Sequence, residues 1–144
     1  MIRYLLDTDI TSQAGKQKPS RNAQAWLASV NDDELAISAI TLRERLEGAE
    51  RAKQAGSPLA SDIAADVEDL ALVYEGRILS INEVAARHWA RLLVPDNSRF
   101  DDKAQLAIAA AYGVTLVTLN WKDVQGKGVA VLNPGRNPPK LYDP

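Results

Sequence analysis

The chain has no cysteine and a single histidine, His88. Disulfides and thiolate metal sites are excluded, and one imidazole cannot build a His-rich zinc site. Ser-His catalysis would rest on that one ring, and Cys-His catalysis has no nucleophile. No run approaches the roughly 18 apolar residues of a membrane span. The N-terminus carries no apolar stretch of secretory length, so a cytoplasmic location is the expectation. Neither sign of charge dominates: 17 Lys and Arg stand against 19 Asp and Glu, for a net charge of -2. That balance neither announces nor excludes a nucleic-acid partner. Internal repeats and low-complexity segments are also missing. Any metal chemistry must therefore run on oxygen ligands, which favours Mg²⁺ or Mn²⁺.

What is present is an ordinary globular composition, 46% apolar and 25% charged over 144 residues, enough for one domain with a real core. Residues 3–6 read as a short buried strand. Gly15 to Pro19 is a loop, and Ser20 caps a helix running to about Val30. Leu35 to Ser38 is a second strand, followed by a helix from Thr41 to about Gln54 with Leu42, Leu46 and Ala49 on one face. Ser57 and Pro58 open a further helix that carries Ile63, Val67 and Leu70 and ends near Gly76. Arg77 to Ile81 is a third strand and Asn82 to Leu93 a helix. After the break at Pro95 to Ser98, an Ala-rich helix runs from about Asp102 to Tyr112, with Gly113 as its C′ residue. Val114 to Thr118 and Val129 to Leu132 are strands. Strands alternating with helices predict a three-layer α/β/α sandwich with a mainly parallel sheet. The helix pair between the second and third strands predicts a protruding helical hairpin. Residues 1–134 form the expected domain, and 135–144 a Pro-rich C-terminal tail.

Acids gather where such a fold binds ligands, at the C-terminal edge of the sheet. Asp7 ends the first strand, two residues before Asp9. Glu44 lies in the helix after the second strand, pointing away from Leu42 and Leu46; beside Arg43 and Arg45 it could equally be a solvated helix acid. Asp101 and Asp102 open the Ala-rich helix, where acids also cap and favour the helix dipole. Asn120 and Asp123 follow the Val114–Thr118 strand. Each alone has a bland explanation, but together the acids would repel one another without a shared cation. A metal site is the economical account.

The ordered set of segments resembles a PIN-domain ribonuclease of the VapC toxin type. It comprises Leu5-Leu6-Asp7-Thr8-Asp9-Ile10, then Ile37 to Glu44 with Gly48 beyond. Asp102 with the helix Ala104 to Tyr112 follows, then Gly113 to Thr118, Asn120, Asp123 and Gly128 to Pro134. The resemblance implies that Asp7, Glu44 and Asp102 surround Mg²⁺ or Mn²⁺. It also implies Asp102 rather than Asp101 as the ligand, and a role for Asp123 through water. Thr8, Thr118, Asn120 and Arg43 become candidates for contact with RNA. Trp121 and Gln105 are less usual choices near such a site, bearing on substrate shape or antitoxin fit. The implied reaction is hydrolysis of an RNA phosphodiester, the implied partner a small antitoxin, and the implied assembly a homodimer or toxin–antitoxin hetero-oligomer.

Two other readings stand beside it. Asp7-Thr8-Asp9-Ile10-Thr11 also satisfies the D-x-D-x-T opening of haloacid-dehalogenase phosphatases, with Asp7 as nucleophile and Asp9 as acid/base. A catalytically degenerate PIN-like binding module is the third. The cations Lys16, Lys18, Arg21, Arg43, Arg45, Arg51 and Lys53 could form a rim for a phosphate backbone. With Glu34, Glu47 and Glu50 interleaved, they are also ordinary surface charge. Leu59 and Ile63 on the hairpin could serve a dimer or an antitoxin groove.

Overall fold

Leu5, Leu116 and Val131 pack on one face of a sheet, while Leu6, Val117 and Leu132 pack on the other. This period of two, on strands buried on both faces, is what requires helices on both sides. The computed structural model describes residues 1–12 and 18–144. The loop expected over Gly15–Pro19 lies mostly outside the described residues, as does Lys16. The strands are β1 (Tyr4–Leu6), β2 (Leu35–Ser38), β3 (Ile78–Leu79), β4 (Thr115–Val117), β5 (Val131–Asn133) and β6 (Lys140–Tyr142). They form one sheet in the order β3-β2-β1-β4-β5-β6, parallel except for β6. The helices are α1 (Thr8–Thr11), α2 (Arg21–Ser29), α3 (Ala39–Gln54), α4 (Ala60–Val73), α5 (Glu83–Leu93), α6 (Phe100–Tyr112) and α7 (Trp121–Val124). Among the described residues, no helix is long and apolar enough to cross a membrane.

One face of the sheet is covered by α5 and α6 through Ala85, Trp89, Leu106 and Ile108. The other is covered by α2 and the end of α4 through Trp26, Leu27, Leu70 and Tyr74. The three expected layers are there, and α3 and α4 form the hairpin. Helix α6 is the most enclosed element: Lys103 to Ala109 are all buried. The chain leaves β1 for β2 and β3, then returns to place β4 on the opposite side of β1. The gap beyond the C-terminal ends of β1 and β4 is therefore the switch point where open parallel sheets take ligands.

Several boundaries moved. Helix α3 begins at Ala39, because Ser38 Oγ accepts from Thr41 N (3.2 Å) and caps it. Its Leu42 and Leu46 line a surface groove instead of the core, and Leu46 is 44% exposed; Ile40 and Thr41 are the buried pair. Ser57 closes a turn onto Leu59 N, and α4 starts only at Ala60. The expected cap at Asp101 and Asp102 is displaced outward, since α6 starts at Phe100 with Arg99 at its N-cap. The C-terminal segment contributes β6, antiparallel to β5, and Tyr142 stacks on Trp121 at 4.6 Å. Trp121 is thus committed to packing α7 against the sheet edge.

Gly113 ends α6 in the left-handed region (φ 65°), and Val114 N donates back to Ala109 O at 3.0 Å. This closes the helix with a Schellman turn. A methyl group there meets nothing within 4 Å, so the cost of Gly113→Ala is backbone strain alone. We expect Gly113→Ala to lower the unfolding free energy by about 1 kcal/mol. Gly48 lies inside α3 with equally open space around it, so Gly48→Ala should raise it by about 0.5–1 kcal/mol. Urea unfolding of both variants checks the opposite signs.

Candidate metal site

Asp7 is the first residue beyond β1, and its N–H still bonds Val117 O at 2.9 Å, so the sheet holds its backbone. Its side chain caps α1: Oδ1 accepts from Thr8 N at 2.8 Å. Thr118, at the end of β4, donates its hydroxyl to Asp7 Oδ2 (2.9 Å), with Asp9 Oδ2 also in reach at 3.2 Å. Asp9 Oδ2 accepts from Leu119 N at 3.0 Å, so Asp9 braces α1 against the exit of β4. Thr118 is fully buried. The sequence suggested it for RNA contact, but its hydroxyl is enclosed and bonded to Asp7, Asp9 and the Asn120 amide. Thr8 Oγ1 is 3.1 Å from Thr41 Oγ1 on α3.

Burial pushes the Asp7 carboxyl up to about 6, with repulsion from Asp9 adding to it. Hydrogen bonds from Thr8, Thr118 and Gln105 oppose that rise. Glu44, on α3, is raised by burial, held down by a hydrogen bond from Thr8, and raised again by Asp101 and Asp7. Asp102, in the first turn of α6, is raised by burial and by Asp7, relieved by Arg99, and raised by Asp123 and Asp101. The acids singled out in the sequence therefore share one electrostatic field, although four separate stretches of chain deliver them. The field has a physical origin: partial burial removes water from like charges that backbone geometry holds near each other.

Two arginines relieve the rim. Arg43 Nη2 stands 2.5 Å from Asp101 Oδ2 and 4.0 Å from Glu44 Oε1. Arg99 Nη1 stands 2.8 Å from Asp123 Oδ2 and 3.8 Å from Asp102 Oδ2. Neither Asp101 nor Asp102 caps its helix; each faces an arginine instead. Arg99 carries a left-handed backbone (φ 52°), which a non-glycine residue adopts only under constraint. Nothing in the sequence pattern singled it out beyond its place just before an acid pair. Among the described residues, no cation pairs with Asp7. Asn120 sits at the N-cap position of α7, its N–H bonded to Thr118 Oγ1 at 3.0 Å.

The donor set is entirely carboxylate, with mutual repulsion that a hard divalent cation would relieve. Asp7, Glu44 and Asp102 fit such an ion chemically. Among the described residues, no group of three acids is drawn into a metal-holding array as it stands, and Arg99 occupies the space between Asp102 and Asp123.

The unfolded chain releases the Asp7 proton near pH 4, while the folded protein keeps it to about 6. The raised value therefore favours the fold below about pH 4, and that stability is lost as pH rises through about 6. In EDTA, we expect this loss to be on the order of 2–3 kcal/mol. Asp7→Asn, which retains a capping side chain, should flatten the trend. Urea unfolding at intervals from pH 4 to pH 8 measures it; an unchanged slope in the variant would assign the loss to other groups.

No curated protein matches this sequence. The fold is similar to that of a chain in FitAB bound to an IR36 DNA fragment, at 25% identity and TM-score 0.76, covering 92% of this chain and 96% of that one. It is similar to a chain of FitAcB from Neisseria gonorrhoeae at 26% identity and TM-score 0.69, covering 91% and 97%. A chain of VapBC-1 from nontypeable Haemophilus influenzae is similar at 25% identity and TM-score 0.61, covering 85% and 90%. The phosphatase alternative finds no counterpart among them. Because the PIN-domain family model matches residues 4–124, through the edge that carries Asp7, Glu44, Asp102 and Asp123, this chain belongs to the PIN-domain family.

Proposed function

We propose that the chain is a divalent-metal-dependent endoribonuclease and the toxin of a toxin–antitoxin pair. The observation that carries this reading is the electrostatic field that Asp7, Glu44 and Asp102 share near the switch point. All three are raised by burial, and the latter two also by Asp7. Asp7, Glu44 and Asp102 would hold Mg²⁺ or Mn²⁺ through carboxylate oxygens, with Asp123 acting through water. Bound there, the ion supplies an activated water and neutralises charge developing on the phosphate. The protein's part is positioning. The Thr8 N–H and the Thr118 hydroxyl hold the Asp7 oxygens in place. Thr8, Asn120, Arg43 and Arg99 border the site where a phosphodiester would lie, and the arginines offer charge to its backbone.

The similarity to FitAB and VapBC-1 chains supports an antitoxin partner. The groove between α3 and α4, about 490 Å³ and lined by Leu46, Ala49, Ala64 and Val67, suits an apolar helix of that partner. A homodimer belongs to the same reading, with one nuclease unit whose sheet extends beyond 134 to take in β6.

Purified protein with Mn²⁺ should cleave single-stranded RNA, and Asp7→Ala or Asp102→Ala should reduce cleavage by about a hundredfold or more. Expression should arrest growth for the wild type alone. Equal toxicity of all three proteins would reject the site. Arg99→Ala removes a cation that competes for Asp102 and Asp123, so Mn²⁺ should bind up to about fivefold more tightly. Calorimetric titration decides this; weaker binding would make Arg99 a support for the acids instead of a competitor.

A further inference from the structure

Gln105 is a long polar side chain in the buried stretch Ala104 to Ala109 of α6, otherwise made of apolar residues. It is 1% exposed and lies between the ends of β1 and β2. Its Oε1 is 2.6 Å from Ser38 Oγ, and its Nε2 is 2.9 Å from Thr41 Oγ1 and 3.5 Å from Asp7 Oδ1. Two independent features set the amide orientation. The 2.6 Å contact has the length of an O–H···O bond. A reversed amide would also turn its oxygen toward the Asp7 carboxylate. The Nε2 hydrogens therefore face Thr41 and Asp7.

That orientation propagates. Ser38 Oγ already accepts from Thr41 N at 3.2 Å, and its single proton goes to Gln105 Oε1. Thr41 Oγ1 accepts from Gln105, and with the Thr8 proton given to Glu44, the 3.1 Å contact between Thr41 Oγ1 and Thr8 Oγ1 is filled by the Thr41 proton. Thr8 Oγ1, now an acceptor from Thr41, directs its proton outward, and the neighbour that feels it is Glu44. A hydroxyl has one proton but two acceptor sites, so the direction is set at the far end, where the single Thr8 proton serves Glu44.

We propose that Gln105 is a positioning residue that orients two of the proposed metal ligands at once, Asp7 directly and Glu44 through the one-way relay Thr41 to Thr8. This rests on the metal-site reading above and goes beyond it by giving the site a shared buried anchor. The last donor of each branch, Gln105 Nε2 and the Thr8 hydroxyl, faces a carboxylate. The arrangement therefore favours carboxylates turned to the site, ready for a cation, over protonated acids that need an acceptor. Gln105 and Thr41 are buried, so they act through the ligands and not by substrate contact; only Thr8, at the end of the relay, borders the site.

The test uses the full chain and Mn²⁺ alone. Mn²⁺ affinity is read by calorimetry, and the melting temperature in EDTA is read separately. Thr41→Val is close in shape and cuts the Glu44 branch while leaving Gln105 beside Asp7; Thr41→Ser keeps the hydroxyl. Gln105→Leu cuts both branches. Thr41→Val should weaken Mn²⁺ binding about tenfold, Gln105→Leu more than that, and Thr41→Ser should stay near wild type. A lowered melting temperature with unchanged Mn²⁺ affinity in Thr41→Val and Gln105→Leu would make the network merely structural and overturn the proposal. Wild-type protein that binds no Mn²⁺, like an Asp7→Ala control, would overturn the metal-site reading and this inference with it. Wild-type binding that Asp7→Ala abolishes, with the variants unaffected, would overturn the relay alone.

Discussion

A carboxylate set at the crossover between two parallel strands organises this protein. Asp7 is where β1 stops, where α1 is capped, and where β4 delivers Thr118. A charge in that position is expensive in a low-dielectric interior, and the surroundings answer it with hydrogen bonds from Thr8, Thr118 and Gln105. Those bonds leave the carboxyl well above its ordinary range, so the cost is reduced but not removed. The residual cost is what a cation would recover on binding. Much of the neighbouring structure can be understood as the scaffold that holds that unfinished electrostatic state in place.

The scaffold works because the sheet is buried on both faces and α6 is enclosed on nearly all sides. A helix wrapped in apolar neighbours has little room to shift, so Asp102 in its first turn and Gln105 one turn later are delivered at fixed positions. Lys103 on the same helix reaches the backbone of Asp96, closing the segment that precedes α6. Trp89 Nε1 donates to Phe100 O at 3.1 Å and secures the helix start from the α5 side. Arg99 sits at that start in a strained backbone conformation, between Asp102 and Asp123. Strain of this kind persists only where the surroundings over-determine it, and here the surroundings are two acids and a fixed helix end.

The layered fold and the acids at its edge were legible in the sequence. Short apolar runs ending in Asp7 or Thr118 alternate with helical patterns, and the structure places them as parallel strands. The helix boundaries were less legible. Leu42, Leu46 and Ala49 have the spacing of a core stripe, yet they face a groove, because a hairpin helix can turn an apolar stripe toward its partner helix or toward solvent. Asp101 and Asp102 have the sequence of caps, yet Asp101 meets Arg43 from α3 and Asp102 faces Arg99, which also reaches Asp123. The D-x-D opening suggested a catalytic pair, whereas Asp9 turns to the Leu119 amide. In each instance the local pattern admitted two placements and long-range packing chose.

Residue type and spacing were enough to say that this chain builds a parallel sheet, that it has no cysteine and too little imidazole for a soft-metal site, and that acids cluster at one sheet edge. These follow from periodicity and composition, which are local properties. Which acid shares a field with which, and which cation reaches them, could not follow from the same source. Arg43 meets Asp101 across 58 residues and Gln105 meets Asp7 across 98. Such pairings depend on the sheet order β3-β2-β1-β4, which brings the ends of β1, β2 and β4 together only once the chain has crossed over and closed. Hydrogen-bond direction is more remote still, since a hydroxyl takes its orientation from a donor that only the folded core supplies.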